Sequence, residues 1–300
     1  MITRVINQFK AEQNETIVST CRLLGVDRQV YYRANRSKLK SQTQAQKVLD
    51  LVVPLRELMP RIGTKKLYHI LNEPLKELKL GRDKLHMILK ANNLLIKPKK
   101  SYHVTTNSHH RFKKHKNLIE NLVPTRPEQV WVTDITYIGN RPNHSYLALV
   151  TDAYSKKIVG YDLSDSLHAS GAIGALKMAV KQRMYQTEPL IHHSDRGVQY
   201  CCTDYQKLLK RKNLNCSMTE SYDPYANAVA ERVNGILKSE FELERFTVNI
   251  DVMKKIIKQS IDIYNTFRPH YSCYMNTPEY MHKQRKVKIR TYKNNQYHQD

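Results

Sequence analysis

The spacing of hydrophobic positions changes character near residue 127. Upstream, apolar residues recur every three or four positions. Leu67, Ile70 and Leu71 line one face of TKKLYHILN, and Leu85, Ile88 and Leu89 line one face of RDKLHMILKAN, which predicts a pair of helices within 64–93. Residues 16–36 read as two short helices around Gly25-Val26-Asp27, with Gly25 ending the first and Asp27 capping the second. Residues 37–58 predict a polar connecting helix. Residues 97–126 are polar and basic with almost no period, as a linker would be. Downstream, strand-like runs cover 129–138, 145–152 and 156–163, joined by short loops into an antiparallel meander. A helix over 166–184, a short strand over 188–195, a helix over 200–213 and a strand over 214–218 follow. A long helix from about 226 to 244 and another over 250–266, ending at Arg268-Pro269, complete the order.

Three antiparallel strands, then helix–strand–helix–strand, then helices, is the order of a ribonuclease-H-like α/β fold, a mixed sheet with helices on its faces. The expected organisation is a helical, helix-turn-helix-like region over 1–58, a second such DNA-binding domain over 59–96, a basic linker over 97–126, the mixed-sheet core over 127–283 and a basic tail over 284–300.

Charge sharpens this division. The chain has 300 residues and a formal net charge of +23. Residues 1–126 hold 26 Lys/Arg against 9 Asp/Glu, and residues 127–300 hold 24 against 18, so the excess is concentrated in the helical part. A dense cationic surface favours nucleic acid through counterion release. No run of about 18 uncharged apolar residues exists, and the opening MITRVINQFKAEQNE has no signal-peptide pattern, so neither a membrane span nor export is expected. The five cysteines, Cys21, Cys201, Cys202, Cys216 and Cys273, include no CxxC; a reducing cytoplasmic setting fits them better than a disulfide framework or a zinc site.

Three acids stand out. Asp134 lies within an otherwise apolar strand, where a carboxylate is costly without a partner. Asp195 ends the fourth strand, where open sheets present ligands to a crevice. Glu231 lies near the start of the long helix. There, Val229, Val233, Ile236 and Leu237 gather on one side, to pack on the sheet, and Glu231, Asn234 and Lys238 on the other, where Glu231 can serve as a ligand and Asn234 and Lys238 can meet DNA or the third carboxylate. Oxygen-only ligands suit Mg²⁺ or Mn²⁺, and two such ions serve phosphoryl transfer. Taken singly, each acid has a plain structural reading: a satisfied buried Asp, a turn residue in SDRG, an exposed helical Glu. Asp152 and Asp165 are rival acids beside turns and are read as structural.

With those residues identified, residues 129–282 resemble the integrase core of insertion-sequence transposases, in particular the second-reading-frame product of two-frame elements. Trp131, Asp134, Thr136 and Tyr137 match the first family motif. His193, Asp195, Gly197, Gln199 and Tyr200 match the second, and Asn227, Ala228, Glu231, Asn234, Leu237 and Lys238 the third. Tyr264, Asn265, Arg268, Pro269 and His270, then Thr277-Pro278, match the closing segments. Exactly 35 residues separate Asp195 from Glu231, the family spacing. The resemblance implies a DDE enzyme: Asp134, Asp195 and Glu231 as catalytic metal ligands, Mg²⁺ or Mn²⁺ as two ions, and cleavage at element ends followed by 3′-hydroxyl strand transfer. It also implies multimers on DNA, a frameshift partner or fusion from an upstream frame, and a bacterial, nucleoid-associated cytoplasmic setting. Lys65, Lys66, Arg82, Lys84, Lys99, Lys100, Arg111, Lys113, His193, Arg196, Asn234, Lys238 and Arg268 are the expected DNA contacts. A DNA-binding regulator with an inactive core, a nuclease acting on RNA–DNA hybrids and a non-enzymatic DNA-coating scaffold are the competing readings. Excision by an Asp134→Ala variant would favour the first, and hybrid cleavage without strand transfer the second.

Overall fold

The structure is a computed structural model that describes residues 2–97, 115–120, 122–139, 144–219 and 228–289. Lys99, Lys100, Arg111, Lys113 and Asn227 lie outside the described residues. The chain divides into two compact units, Met1–Leu55 with Leu71–Leu95, and Arg56–Ile70 with Ile96–Asp300.

The first unit is helical. α1 (Ile2–Gln13) and α2 (Ile17–Leu23) pack together, and Ile6, Cys21 and Tyr31 form their small core. Thr16 caps α2, its hydroxyl accepting from the Ser19 amide at 3.1 Å. Gly25 takes φ +63° in the turn, a conformation that favours glycine, and the Asp27 carboxylate accepts from the Gln29 amide at 2.6 Å. Both turn roles match the sequence expectation. The next helix runs further than its pattern implied: α3 (Arg28–Leu58) is continuous, absorbing the polar stretch expected as a separate connector. Val48 and Val52 anchor it while its polar length stays helical, as good helix formers allow. α5 (Asn72–Glu77) and α6 (Arg82–Ala91) complete the unit, with Leu75, Leu85 and Leu89 fully buried. α4 (Thr64–Ile70) belongs to the second unit by its contacts.

The second unit is built on a five-stranded sheet in the order β3-β2-β1-β4-β5. β1 (Val130–Ile138), β2 (Ser145–Asp152) and β3 (Ile158–Ser164) form the antiparallel meander; β4 (Ile191–Ser194) and β5 (Asn215–Met218) extend it in parallel. This is the mixed sheet that the element order predicts. The alternation of β1 assigns its two faces. Trp131 joins a core with Ala148, Val150, Val159 and the inner faces of α7 (Ala169–Lys181) and α9 (Thr203–Arg211). Val130 and Val132 face the other way, toward Ala230 of α10 (Ala228–Ser239). α7 approaches the sheet so closely that a Cβ at Gly160 would lie 2.2 Å from the Ala175 carbonyl oxygen. α8 (Val198–Cys201) precedes α9. α11 (Ile250–Thr266) packs on β3, and α12 (Pro278–His282) on α11. The Asn265 side chain holds both backbone groups of Ile158, accepting at 3.0 Å and donating at 2.9 Å, and so covers part of the exposed edge of β3. Among the described residues no helix is long and apolar enough to cross a membrane.

Candidate active site

Asp134 sits in the middle of β1 on the face toward α10. Its Oδ1 accepts from the Ile135 amide at 2.9 Å, and its Oδ2 accepts from the Asn234 side-chain amide at 2.7 Å. Desolvation, then the negative charge of Asp195 and, more weakly, that of Glu231 push its carboxyl up to about 7. The negative charges of Asp195 and, more weakly, Glu231 thus reach Asp134 from distant parts of the chain. The parallel pairing of β1 with β4 makes this possible: Val132 lies opposite His193, so the end of β4 reaches the level of Asp134.

Asp195 is held by its own turn, its Oδ1 accepting from the Gly197 amide at 2.9 Å. A Cβ on Gly197 would lie 2.9 Å from that oxygen, so the glycine is what lets the turn close against the carboxylate. Glu231 stands on the exposed first turn of α10, directly after residues outside those described, and desolvation raises its carboxyl. Among the described residues no group of three His, Cys, Asp or Glu side chains stands close enough as placed to hold an ion. The donor chemistry nevertheless fits one: three carboxylates, all oxygen, two of which raise the proton affinity of Asp134 in the way that a divalent cation reverses.

The residues expected to touch DNA fall into two groups. Lys65, Arg82 and Lys84 are exposed, Arg196 is half-buried beside Asp195, and Lys238 is half-buried with its ammonium 6.0 Å from the Tyr137 ring. Burial pulls Lys238 downward, while Glu244 and Asp134 oppose that shift. The other described ones have partners inside the protein. Arg268 is 1% exposed and grips Glu240 Oε2 at 2.6 Å. Lys66 holds Glu240 Oε1 at 2.6 Å. Buried His193 shares a hydrogen bond of 2.9 Å with the Ser217 hydroxyl. Buried Asn234 is committed to Asp134. A cation or amide already engaged inside the protein contributes little to binding a phosphate.

Two features escaped sequence reasoning. One is Glu240, whose place in the charged run LKSEFELER gave no sign of its two distant cationic partners. The other is a buried cluster around Asp152. Its Oδ1 accepts from the Ser155 amide and hydroxyl at 2.7 Å, its Oδ2 accepts from the Glu128 amide at 2.7 Å, and His282 stands 3.7 Å away. The structural reading of Asp152 holds, but its partner from α12 was not legible in the sequence.

Comparison with known proteins shows the family. An Integrase core domain profile matches residues 124–224, and a second Integrase core domain profile matches residues 212–278. The "Insertion element IS600 uncharacterized 31 kDa protein" of Shigella sonnei is 34% identical over 256 residues, covering 83% of this chain and 92% of that protein. "Transposase InsF for insertion sequence IS3A" of Escherichia coli (strain K12) is 29% identical over 276 residues, covering 90% and 95%. The HTLV-2 integrase catalytic core domain, solved in complex with magnesium, aligns with a TM-score of 0.42 and 17% identity over 52% of this chain and 97% of its own. The chain therefore belongs to the insertion-sequence transposases built on an integrase core domain.

Proposed function

We propose that this chain cuts DNA at the ends of its insertion sequence and joins the freed 3′-hydroxyl to a target strand, with Asp134, Asp195 and Glu231 as the ligands of Mg²⁺ or Mn²⁺. In the first step water attacks the phosphorus and the 3′-oxygen of the element leaves. In the second that 3′-hydroxyl attacks a target phosphorus and the target's own 3′-oxygen leaves. No covalent bond to protein forms at either stage. When bound, a pair of divalent ions supplies the Lewis acidity that activates the attacking oxygen and neutralises the leaving one.

What supports this reading is a desolvated Asp134 in β1 that feels the negative charge of Asp195 and, more weakly, of Glu231. Like charges gathered without a counter-cation oppose stability, and such arrangements cluster at functional sites. Within that site Asn234 and the Ile135 amide each take one Asp134 oxygen and fix its rotamer. Gly197 does the same for Asp195. Lys238, drawn toward Asp134, is placed to meet a phosphate. Positioning of this kind is most of what a phosphoryl-transfer protein contributes.

The basic helices of residues 1–96, with exposed Arg82 and Lys84, and the segment 97–126 serve to grip the element end, and residues 127–283 do the chemistry. The working form is a homo-oligomer pairing two ends in a bacterial cytoplasm, with or without an upstream-frame partner. Incubating the full chain with duplexes of its element ends, with and without Mg²⁺, tests the reading by scoring joined strands. Metal omission and Glu231→Gln each abolish joining and leave end binding largely intact. Equal loss of binding and joining in the two cases would overturn the division of labour, and cleavage of an RNA–DNA hybrid without joining would replace it.

A further inference from the structure

Glu240 lies just past the C-terminal end of α10 and is 8% exposed. Three stretches of the second unit meet on it. Lys66 of α4 holds one carboxylate oxygen at 2.6 Å, and Arg268, just beyond α11, holds the other at 2.6 Å. The Arg61 amide donates to the Glu240 carbonyl at 3.0 Å, while its guanidinium pairs with Glu242 at 3.7 Å. Lys65 adds a contact from the same helix, its ammonium 4.7 Å from the ring of Tyr271. Segment 56–70 is thereby seated on the far end of α10.

The near end of that helix carries Glu231 and Asn234. At about 1.5 Å per residue, the nine residues from Glu231 to Glu240 span about 13 Å of one helix. A helix held at one end by a buried, two-sided charge clamp has little freedom to rotate or slide. Buried ion pairs of this kind add little net stability and can serve to impose one geometry. Among the described residues α10 has no comparable ion-pair clamp at its other end, where Glu231 lies on an exposed turn and Asn234 donates to Asp134.

We propose that Glu240 is a positioning residue of the transfer reaction: clamped between Lys66 and Arg268, it sets the angle at which α10 presents Glu231 and Asn234 to Asp134. The inference rests on the metal-ligand reading of the three acids given above. It also gives α4 a different task from reading DNA. Its Lys66 braces the catalytic helix.

The test uses Trp131, the one tryptophan of the chain, three residues from Asp134 in β1. Mn²⁺ titration of its fluorescence in the full-length chain reads ion binding without turnover. Lys66→Met and Glu240→Asp are compared with wild type after circular dichroism shows each to be folded; Glu240→Asp keeps both charges and shortens the arm. The expected result is an apparent Mn²⁺ affinity about tenfold weaker in both variants, the scale seen when groups that orient metal ligands are lost. The Mg²⁺ needed for half-maximal joining rises in parallel, and the dissociation constant for the end duplex stays the same. Unchanged Mn²⁺ affinity in folded Glu240→Asp would overturn the proposal, as would weaker end binding by Lys66→Met with Mn²⁺ affinity intact, which would return Lys66 to the DNA. A wild-type chain that binds Mn²⁺ yet joins no ends would remove the transposition reading and leave the brace to be judged by the titration alone.

Discussion

Asp134 and Asp152 occupy neighbouring antiparallel strands, paired through Asp134–Leu149 and Trp131–Asp152, and they behave as opposites. Asp152 is fully buried, takes three hydrogen bonds and stands beside His282, and these contacts hold its carboxyl below the usual carboxylate range despite burial. Asp134 takes two hydrogen bonds, meets two other carboxylates, and is pushed up to about 7. Desolvation therefore does not by itself account for the opposite shifts of the two carboxyls. The sign of the surrounding charge does: Asp152 has His282 and donor groups beside it, whereas Asp134 feels Asp195 and, more weakly, Glu231, as the proposed metal site requires.

The largest expected effect comes from exchanging each acid for its amide. Asp134→Asn lowers strand joining by about a thousandfold or more, the scale of removing an essential group from an active site. Its stability to urea stays level or rises, because a crowded carboxylate is gone. Asp152→Asn does the reverse. It leaves His282 and its hydrogen-bonding partners poorly matched inside the protein and costs about 3–5 kcal/mol of stability, while the chains that remain folded keep their joining rate. Urea denaturation beside a joining assay decides this; an Asp134→Asn chain that unfolds as readily as Asp152→Asn would erase the distinction.

A smaller effect separates the two acids by pH in the metal-free chain. Asp134 has a raised folded value, so between about pH 4 and about pH 7 the folded chain holds a proton that the unfolded chain has released. Stability then falls as pH rises through that window, with a slope approaching about 1.4 kcal/mol per pH unit. Glu231 and Asp162 are also raised and share the sign, so the difference between wild type and Asp134→Asn isolates the one group. Asp152 and Glu128 are lowered; their contribution is present above the ordinary carboxylate range and is lost as pH falls below it. His282, raised to about 9, contributes below the ordinary imidazole range and loses that contribution as pH climbs through about 9. Denaturation in chelator across pH 4–7, with parallel slopes for wild type and Asp134→Asn, would refute the assignment to Asp134.

What the sequence revealed follows the range of each interaction. Strand alternation and the Gly25-Val26-Asp27 turn are local, and both appear as read. The meeting of Asp134 with Asp195 was legible because strand order alone brings β1 beside β4. Asn234 was legible as facing DNA or a carboxylate, but which partner it, Arg268 and Lys66 take was not. Each is a polar residue whose partner, Asp134 or Glu240, lies in a distant element, and periodicity reports which face a residue occupies without naming what it meets there. The length of α3 was missed for a related reason: a polar stretch has no hydrophobic stripe to mark it, and its helical propensity left no boundary to see.

The smallest expected effect reaches the Asp152 cluster from outside. α12 delivers His282, and its first turn is closed by Thr277, whose hydroxyl accepts from the Tyr280 amide at 3.3 Å, with Pro278 at the next position. Thr277→Ala removes that cap and leaves a helix-end amide without its partner, at a cost of about 1 kcal/mol. The helix has only five residues, so its loosening is felt directly by His282 at its end. The loss should therefore be larger at neutral pH, where His282 is charged and engaged, than above pH 9, where the imidazole has released its proton and the attraction to Asp152 and Glu128 is already weak. Joining by the folded fraction should not change, because the cluster lies apart from the Asp134 site in both partners and protonation. Equal destabilisation on both sides of pH 9 would mean that α12 is held by its apolar contacts through Met281 and not by the charges, and the scaffold half of the comparison would need a different physical basis.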